Sequence, residues 1–143
     1  MQIEGSKFIV TGGASGMGRC FTLLLAELGA DVAFCDVNPE GIAAVEAEGA
    51  ELSGRVVGFQ ADVSSEESMK DLIKNAADTL GGLNGIINNA GIIRDGLLAK
   101  KDRKTGDVRT LSMSKWQKVI DVNLTGVFLG SREFADWHIN NGG

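Results

Sequence analysis

Between residues 11 and 18 the chain reads Thr11-Gly12-Gly13-Ala14-Ser15-Gly16-Met17-Gly18. The apolar run Phe8-Ile9-Val10 precedes it, and a helix-period segment from Gly16 to Leu28 follows. A glycine loop in that setting suits an anion. The opening turn of a helix carries N–H groups without intrahelical partners and the positive end of the helix dipole. Gly12 allows the tight turn, Gly16 removes a side chain where a phosphate must approach, and Gly18 lets the helix pack closely. Ser15 and Met17 complete the expected contact set on this loop. Asp36 closes the next apolar run, Val32-Ala33-Phe34-Cys35, 24 residues after Gly12. A carboxylate there accepts hydrogen bonds from both hydroxyls of a ribose and repels a 2′-phosphate. Its neighbour Val37 is uncharged, and no Arg or Lys precedes Gly16 in the loop. The reading is a dinucleotide site that prefers NAD to NADP, weighed against a plain tight turn followed by a surface Asp.

Two other nucleotide chemistries come close. Gly13 to Gly18 also spells G-x-x-x-x-G, but Arg19-Cys20 follows where a phosphate loop needs Lys and then Ser or Thr, so a kinase or ATPase is disfavoured. A methyltransferase could share a glycine loop and an acid after the second strand. Asp62-Val63, after the third strand, could meet an adenine in either class.

The elements that hold these residues alternate along the chain. Strand-length apolar runs occur at Phe8–Val10, Val32–Cys35, Val56–Phe59 and Gly85–Asn88. The first helix shows Cys20, Leu23, Leu24 and Leu28 at helical spacing. Asn38-Pro39 opens a second helix with an N-cap and a first-turn proline. Met69, Leu72, Ile73, Ala76, Ala77 and Leu80 form one apolar stripe on a third, with Ser64 and Glu67 as its expected capping box and Gly81-Gly82 as its stop. A last helix is expected from Ser114, capped with Gln117, and stopped by Asn140-Asn141-Gly142-Gly143. Trp116, Val119, Ile120, Asn123, Val127 and Phe134 lie on roughly one of its faces. Asn123 is the polar residue there, and a buried amide needs hydrogen-bond partners. Continuous apolar strands separated by amphipathic helices imply a parallel sheet covered on both faces. Right-handed crossovers reduce this to a doubly wound, Rossmann-like α/β fold, truncated after about four strands.

Composition bounds the rest. The chain has 143 residues, 43% hydrophobic and 23% charged, which suits one globular domain or a piece of one. Glycine stands at 20 and proline at 1, a balance that favours tight turns inside a regular fold over a linker. The net charge of −5 disfavours a nucleic-acid binder. No apolar stretch reaches membrane-spanning length, and the N-terminus does not read as a signal peptide. Cys20 and Cys35 fit no metal spacing, so no metal site is expected; both are read as reduced, buried thiols of a cytoplasmic protein. His138, Trp116 and Trp137 read as surface or packing residues. Residues 100–109 hold five of the 14 basic residues. They read as a solvated loop with a hairpin turn at Thr105-Gly106, the alternative being a patch that meets an acidic substrate or carrier.

Taken in order, Thr11-Gly12-x-x-x-Gly16-x-Gly18, Asp62-Val63, Asn88-Asn89-Ala90-Gly91 and Val122-Asn123-Leu124-Thr125-Gly126 resemble the short-chain dehydrogenase/reductase family over essentially the whole chain. The run from Asn88 to Leu98 is similar to 3-oxoacyl-acyl-carrier-protein reductases and related alcohol dehydrogenases. The resemblance implies that Asp62 and Val63 hold the adenine and that Asn89, Ala90 and Gly91 line the cofactor. Asn123 matches the asparagine of the family's Asn-Ser-Tyr-Lys catalytic set. The implied reaction is hydride transfer between nicotinamide and a small carbonyl or alcohol substrate, in a dimer or tetramer that uses the helix after the fourth strand.

The chain departs from that family in one decisive respect: it contains no tyrosine. The family's Ser and Tyr-x-x-x-Lys lie downstream of its asparagine helix. The stretch from Asn89 to Asn123 also looks long, with the basic segment as an insertion. These departures lead to the expectation that residues 1–143 are an incomplete dinucleotide-binding domain of a longer oxidoreductase. A non-catalytic dinucleotide-binding module or truncated relic is the alternative.

Overall fold

The computed structural model describes residues 2–141. Four parallel strands form the main sheet: β1 (Lys7–Thr11), β2 (Asp31–Asp36), β3 (Val56–Gln60) and β4 (Gly85–Ile87), in the order β3-β2-β1-β4. Ile9 sits between Ala33 on one side and Ile86 on the other, and Ala33 pairs onward with Val57. The helices between them are α1 (Gly16–Glu27), α2 (Pro39–Gly49) and α3 (Glu66–Leu80). After β4 come a two-stranded antiparallel ribbon, β5 (Ala99–Lys101) and β6 (Val108–Thr110), then α4 (Met113–Ile120), a π turn (Asp121–Thr125) and α5 (Gly126–Asn140).

Alternate strand residues point to opposite faces, so the sheet builds two cores. Phe8, Val10, Val32 and Phe34 pack with Ala26, Ile42 and Val45, which α1 and α2 supply. Ile9, Ala33 and Cys35 pack with Met69, Leu72, Ile73 and Ala76 of α3 and with Leu129 of α5. The doubly wound arrangement read from the alternation is what the chain adopts. The strand order reverses at β1, which leaves a crevice beyond the carboxyl ends of β1 and β4, the usual place for a ligand in such sheets.

Several local expectations need correction. The buried face of α1 is Gly18, Thr22 and Ala26, not the Cys20-Leu24-Leu28 stripe; Leu24 and Leu28 are each 48% exposed. The small residues at i, i+4 and i+8 let the helix lie close to the sheet; of the expected stripe Leu23 still packs at the edge of this core, while Cys20, Leu24 and Leu28 face outward. The cap of α3 is Ser65, whose side chain accepts from the Ser68 N–H; Ser64 is engaged by Asp62 instead. Helix α4 begins at Met113 with Ser112 as its cap, and Gln117 donates to Asp121 rather than closing a capping box. The π turn rotates the helix face, so Trp116 and Val127, expected on the packed side, are exposed. Asn38 caps α2 and Gly81 ends α3 in the left-handed region, as their sequence contexts suggest. The Thr105-Gly106 turn closes the β5–β6 hairpin, with Gly106 at φ 80°. The glycine stop expected at Gly142 and Gly143 lies outside the described residues.

Cys20 is exposed, so only Cys35 is a buried thiol. Burial pushes the Cys35 thiol up to about 12; a backbone hydrogen bond with Gly12 pulls the other way and the charge of Asp36 adds to the rise. Because the thiolate is the nucleophile, a maleimide at pH 8 should label Cys20 alone in native protein and both cysteines in denaturant. Mass spectrometry of the digested adduct checks this, and native labelling at Cys35 would contradict the packing of β2.

Candidate functional site

Residues from the ends of all four sheet strands meet in a cleft of 520 Å³. The loop after β1 gives Gly12, Ser15, Gly16 and Met17; the end of β2 gives Asp36 and Val37. Asp62 and Val63 follow β3, and Asn89, Ala90 and Gly91 follow β4. Eleven of the residues read from the sequence as cofactor contacts thus line one crevice. Gly18 does not. It lies buried beneath the loop, where an added Cβ would overlap the Gly12 carbonyl oxygen.

The loop geometry follows from its glycines. Gly12 has φ 67° and its Cβ position is 2.8 Å from the Ala90 Cα, so both conformation and space demand glycine. Gly16 has φ 51° with nothing within 4 Å of its Cβ position. That open side belongs to the cleft. The N-cap Ser15 makes no side-chain cap, so the first amides of α1 keep their donors free. A cradle of free donors beside a glycine without a side chain fits a pyrophosphate.

Asp36 ties the second strand to this loop. Its Oδ2 accepts the Ala14 N–H at 3.2 Å and its Oδ1 accepts the Asn38 N–H at 3.2 Å. Asp62 forms the turn after β3. Its Oδ1 accepts the Ser64 hydroxyl at 2.6 Å and the Ser64 N–H at 2.9 Å, and these bonds hold its carboxyl below the ordinary carboxylate range. Burial opposes that shift and the charge of Lys118 assists it.

Thr11 joins two strands at the cleft, a placement the sequence reading did not assign. Its Oγ1 accepts the Asn89 N–H at 3.0 Å and the Ala90 N–H at 3.1 Å, which pins the tail of β4 to the end of β1. The Asn89 side chain returns the tie, donating to the carbonyls of Thr11 and Gly12 at 3.1 and 3.3 Å. A hydroxyl directly before the first glycine was the available signal. Arg94 and Lys118 also line the cleft and were not anticipated there.

Asn123 does not line the cleft. Its Oδ1 accepts the Ile92 N–H at 2.8 Å and its Nδ2 donates to the Ile92 carbonyl at 2.9 Å. The amide is exposed rather than buried, and it clamps the strap that leaves β4. The π turn sets its direction, a common placement for such turns at working sites.

A parallel sheet with a glycine loop at its switch point and an acid ending the second strand defines the dinucleotide-binding α/β class. Residues 6–143 match the family model described as short chain dehydrogenase, and the chain belongs to that family. It is 34% identical over 128 residues to the 3-oxoacyl-acyl-carrier-protein reductase of Thermotoga maritima, covering 90% of this chain and 48% of that protein. It is 38% identical to a 2,5-dichloro-2,5-cyclohexadiene-1,4-diol dehydrogenase of Sphingobium indicum, covering 89% and 46%. A short chain dehydrogenase from Burkholderia cenocepacia, solved in complex with NADP, superposes with a TM-score of 0.81 at 30% identity over 95% of this chain and 52% of that one. The chain therefore spans about half the length of the relatives it matches. No helix among the described residues is long and apolar enough to cross a membrane.

Proposed function

We propose that the chain is the cofactor-binding half of an NAD-dependent oxidoreductase acting on a small carbonyl or alcohol substrate. The observation that carries this reading is the cleft itself: the open side of Gly16 at the start of α1, with the Asp36 carboxylate across from it. A bound nicotinamide dinucleotide would supply hydride exchange at its ring. The chain's own residues do the holding. Amides of the glycine loop take the diphosphate, Asp36 with Val37 beside it takes the adenosine ribose, and Asp62 and Val63 flank the adenine. Asn89, Ala90 and Gly91 border the far end. Asn123 fixes the strap at Ile92, which sets the wall on which a substrate rests.

Proton transfer is a different matter. The family's tyrosine has no counterpart in these 143 residues, so they do not hold that proton donor. Leu124 in the π turn and Phe128 on α5, 63% and 56% exposed, suit assembly with another copy. A cytoplasmic location follows from the reduced-thiol reading and is part of the same proposal.

Titration of the 143-residue chain with NADH, NADPH and S-adenosylmethionine tests the proposal. NADH should bind best, and hydride transfer to carbonyl substrates should be undetectable. Binding of S-adenosylmethionine alone would overturn the assignment, and turnover would overturn the argument from the absent tyrosine. A downstream reading frame carrying Ser and Tyr-x-x-x-Lys separates the enzyme from a non-catalytic module.

A further inference from the structure

Charge is distributed very unevenly in this acidic chain. Residues 94–118 carry eight of the 14 basic side chains and three of the 19 acidic ones, a net of +5 within a chain of −5. The β5–β6 ribbon lies in this segment, and all six of its residues are exposed. Lys100 is the cross-strand partner of Arg109. Residues directly opposite in an antiparallel pair share a face, and like charges there repel. The two cations line a hollow of 430 Å³ together with Lys115 of α4, and no carboxylate lines it. None of the three forms a salt bridge among the described residues. Asp102 has one carboxylate oxygen engaged by the amides of Lys104 and Thr105, and Asp95 and Asp107, the other acids of the segment, do not line the hollow. The rest of the hollow includes Leu97 and Leu111, beside the hydroxyl of Ser112.

We propose that this hollow binds a phosphate monoester, with Lys100, Arg109 and Lys115 around the dianion and Leu97 and Leu111 against the carbon chain that bears it. Three uncompensated cations held together are destabilising alone and favourable around a doubly charged group. The hollow also adjoins the cofactor cleft. Gly96 lines one and Arg94 the other, two residues apart on the same strap. Lys115 lines the hollow and Lys118 the cleft, at i and i+3 on one face of α4. A substrate whose reacting carbon lies in the cleft could place a phosphorylated tail in the hollow, and that use rests on the function proposed above. The anion site does not depend on it.

The experiment is amide NMR on the 143-residue chain with NADH present, so that the glycine loop is filled, while inorganic phosphate or n-butyl phosphate is added. Saturable shifts are expected in residues 96–100 and 109–115. Butyl phosphate should bind about tenfold tighter than phosphate because its chain meets Leu97 and Leu111. Lys100→Gln with Arg109→Gln should weaken both ligands at least about tenfold. The thermal midpoint should not fall, because the substitutions relieve a like-charge pair. Shifts that do not saturate, or that chloride reproduces at equal ionic strength, would overturn the site. Phosphate shifts in the hairpin without any NADH binding would uphold the site and reject the proposed function; NADH binding with a silent hairpin would do the reverse.

Discussion

Gly18→Ala should cost the protein both its dinucleotide affinity and part of its stability. The substitution looks mild, since alanine favours helices and Gly18 needs no left-handed backbone. The obstacle is space. An added Cβ would overlap the Gly12 carbonyl oxygen and sit 2.5 Å from the Asn89 Nδ2 and 2.8 Å from the Gly12 carbonyl carbon. These are backbone atoms and a side chain held by two hydrogen bonds, to Thr11 and Gly12. Neither can swing aside freely. Either α1 lifts from the sheet, opening the buried face of Gly18, Thr22 and Ala26, or the loop parts from Asn89. Overpacking of this kind costs about 1–3 kcal/mol. The amides of the loop would also lose their alignment on the diphosphate, with an expected loss of about 100-fold in NADH affinity. Thermal melting and a fluorescence titration measure the two effects. A variant that kept both would show that α1 does not approach the loop this closely.

How far the sequence carried this picture depends on which physical signal each element leaves. The strands were legible because buried parallel strands read as unbroken apolar runs, as Phe8–Val10 and Val32–Cys35 do. Helix α3 was legible because its apolar stripe is the surface it buries. Helix α1 was misread because it buries small residues: Gly18, Thr22 and Ala26 give almost no hydrophobic signal, while Leu24 and Leu28, which do, face outward. The cleft was largely legible because the glycine loop and Asp36 sit where strand–helix spacing locates them, while Asn89, Ala90 and Gly91 entered only through the family resemblance. Asn123 was legible as a polar residue out of place, but not its direction. That depends on a π turn, whose one-residue register change leaves no local composition mark. The last helix was expected to start at Ser114, but Ser112 caps it because its Oγ has the Lys115 N–H within reach. The hairpin cations were visible as a run, whereas the convergence of Lys100 and Arg109 with Lys115 needed the strand register.

Asp36→Asn is expected to reverse the cofactor preference while leaving the fold intact. The carboxylate has two duties. It accepts amides of Ala14 and Asn38, which shape the junction of the glycine loop with β2, and it presents charge to the cleft that it lines. Asparagine keeps the outline and one acceptor oxygen, so it retains one of the two amides and loses the other, a local cost that leaves the strands and helices in place; alanine would lose both. The charge decides selectivity. A 2′-phosphate about 4 Å from a carboxylate meets a repulsion of about 4 kcal/mol per unit charge at an effective dielectric of about 20. No cation is placed to offset it at the loop: Arg19, the nearest in sequence, is paired with Glu48 and does not line the cleft. Hydrogen bonds to a charged group contribute about 1.5–3 kcal/mol, so loss of the carboxylate should weaken NADH by about 10- to 100-fold. NADPH, relieved of the repulsion, should gain. Paired titrations of wild type and Asp36→Asn with the two cofactors give the ratio directly. If wild type already prefers NADPH, the role of Asp36 is wrong even though the cleft binds a dinucleotide. If the ratio is unchanged in the variant, the ribose lies elsewhere in the cleft, and the carboxylate serves only to hold Ala14 and Asn38 in place.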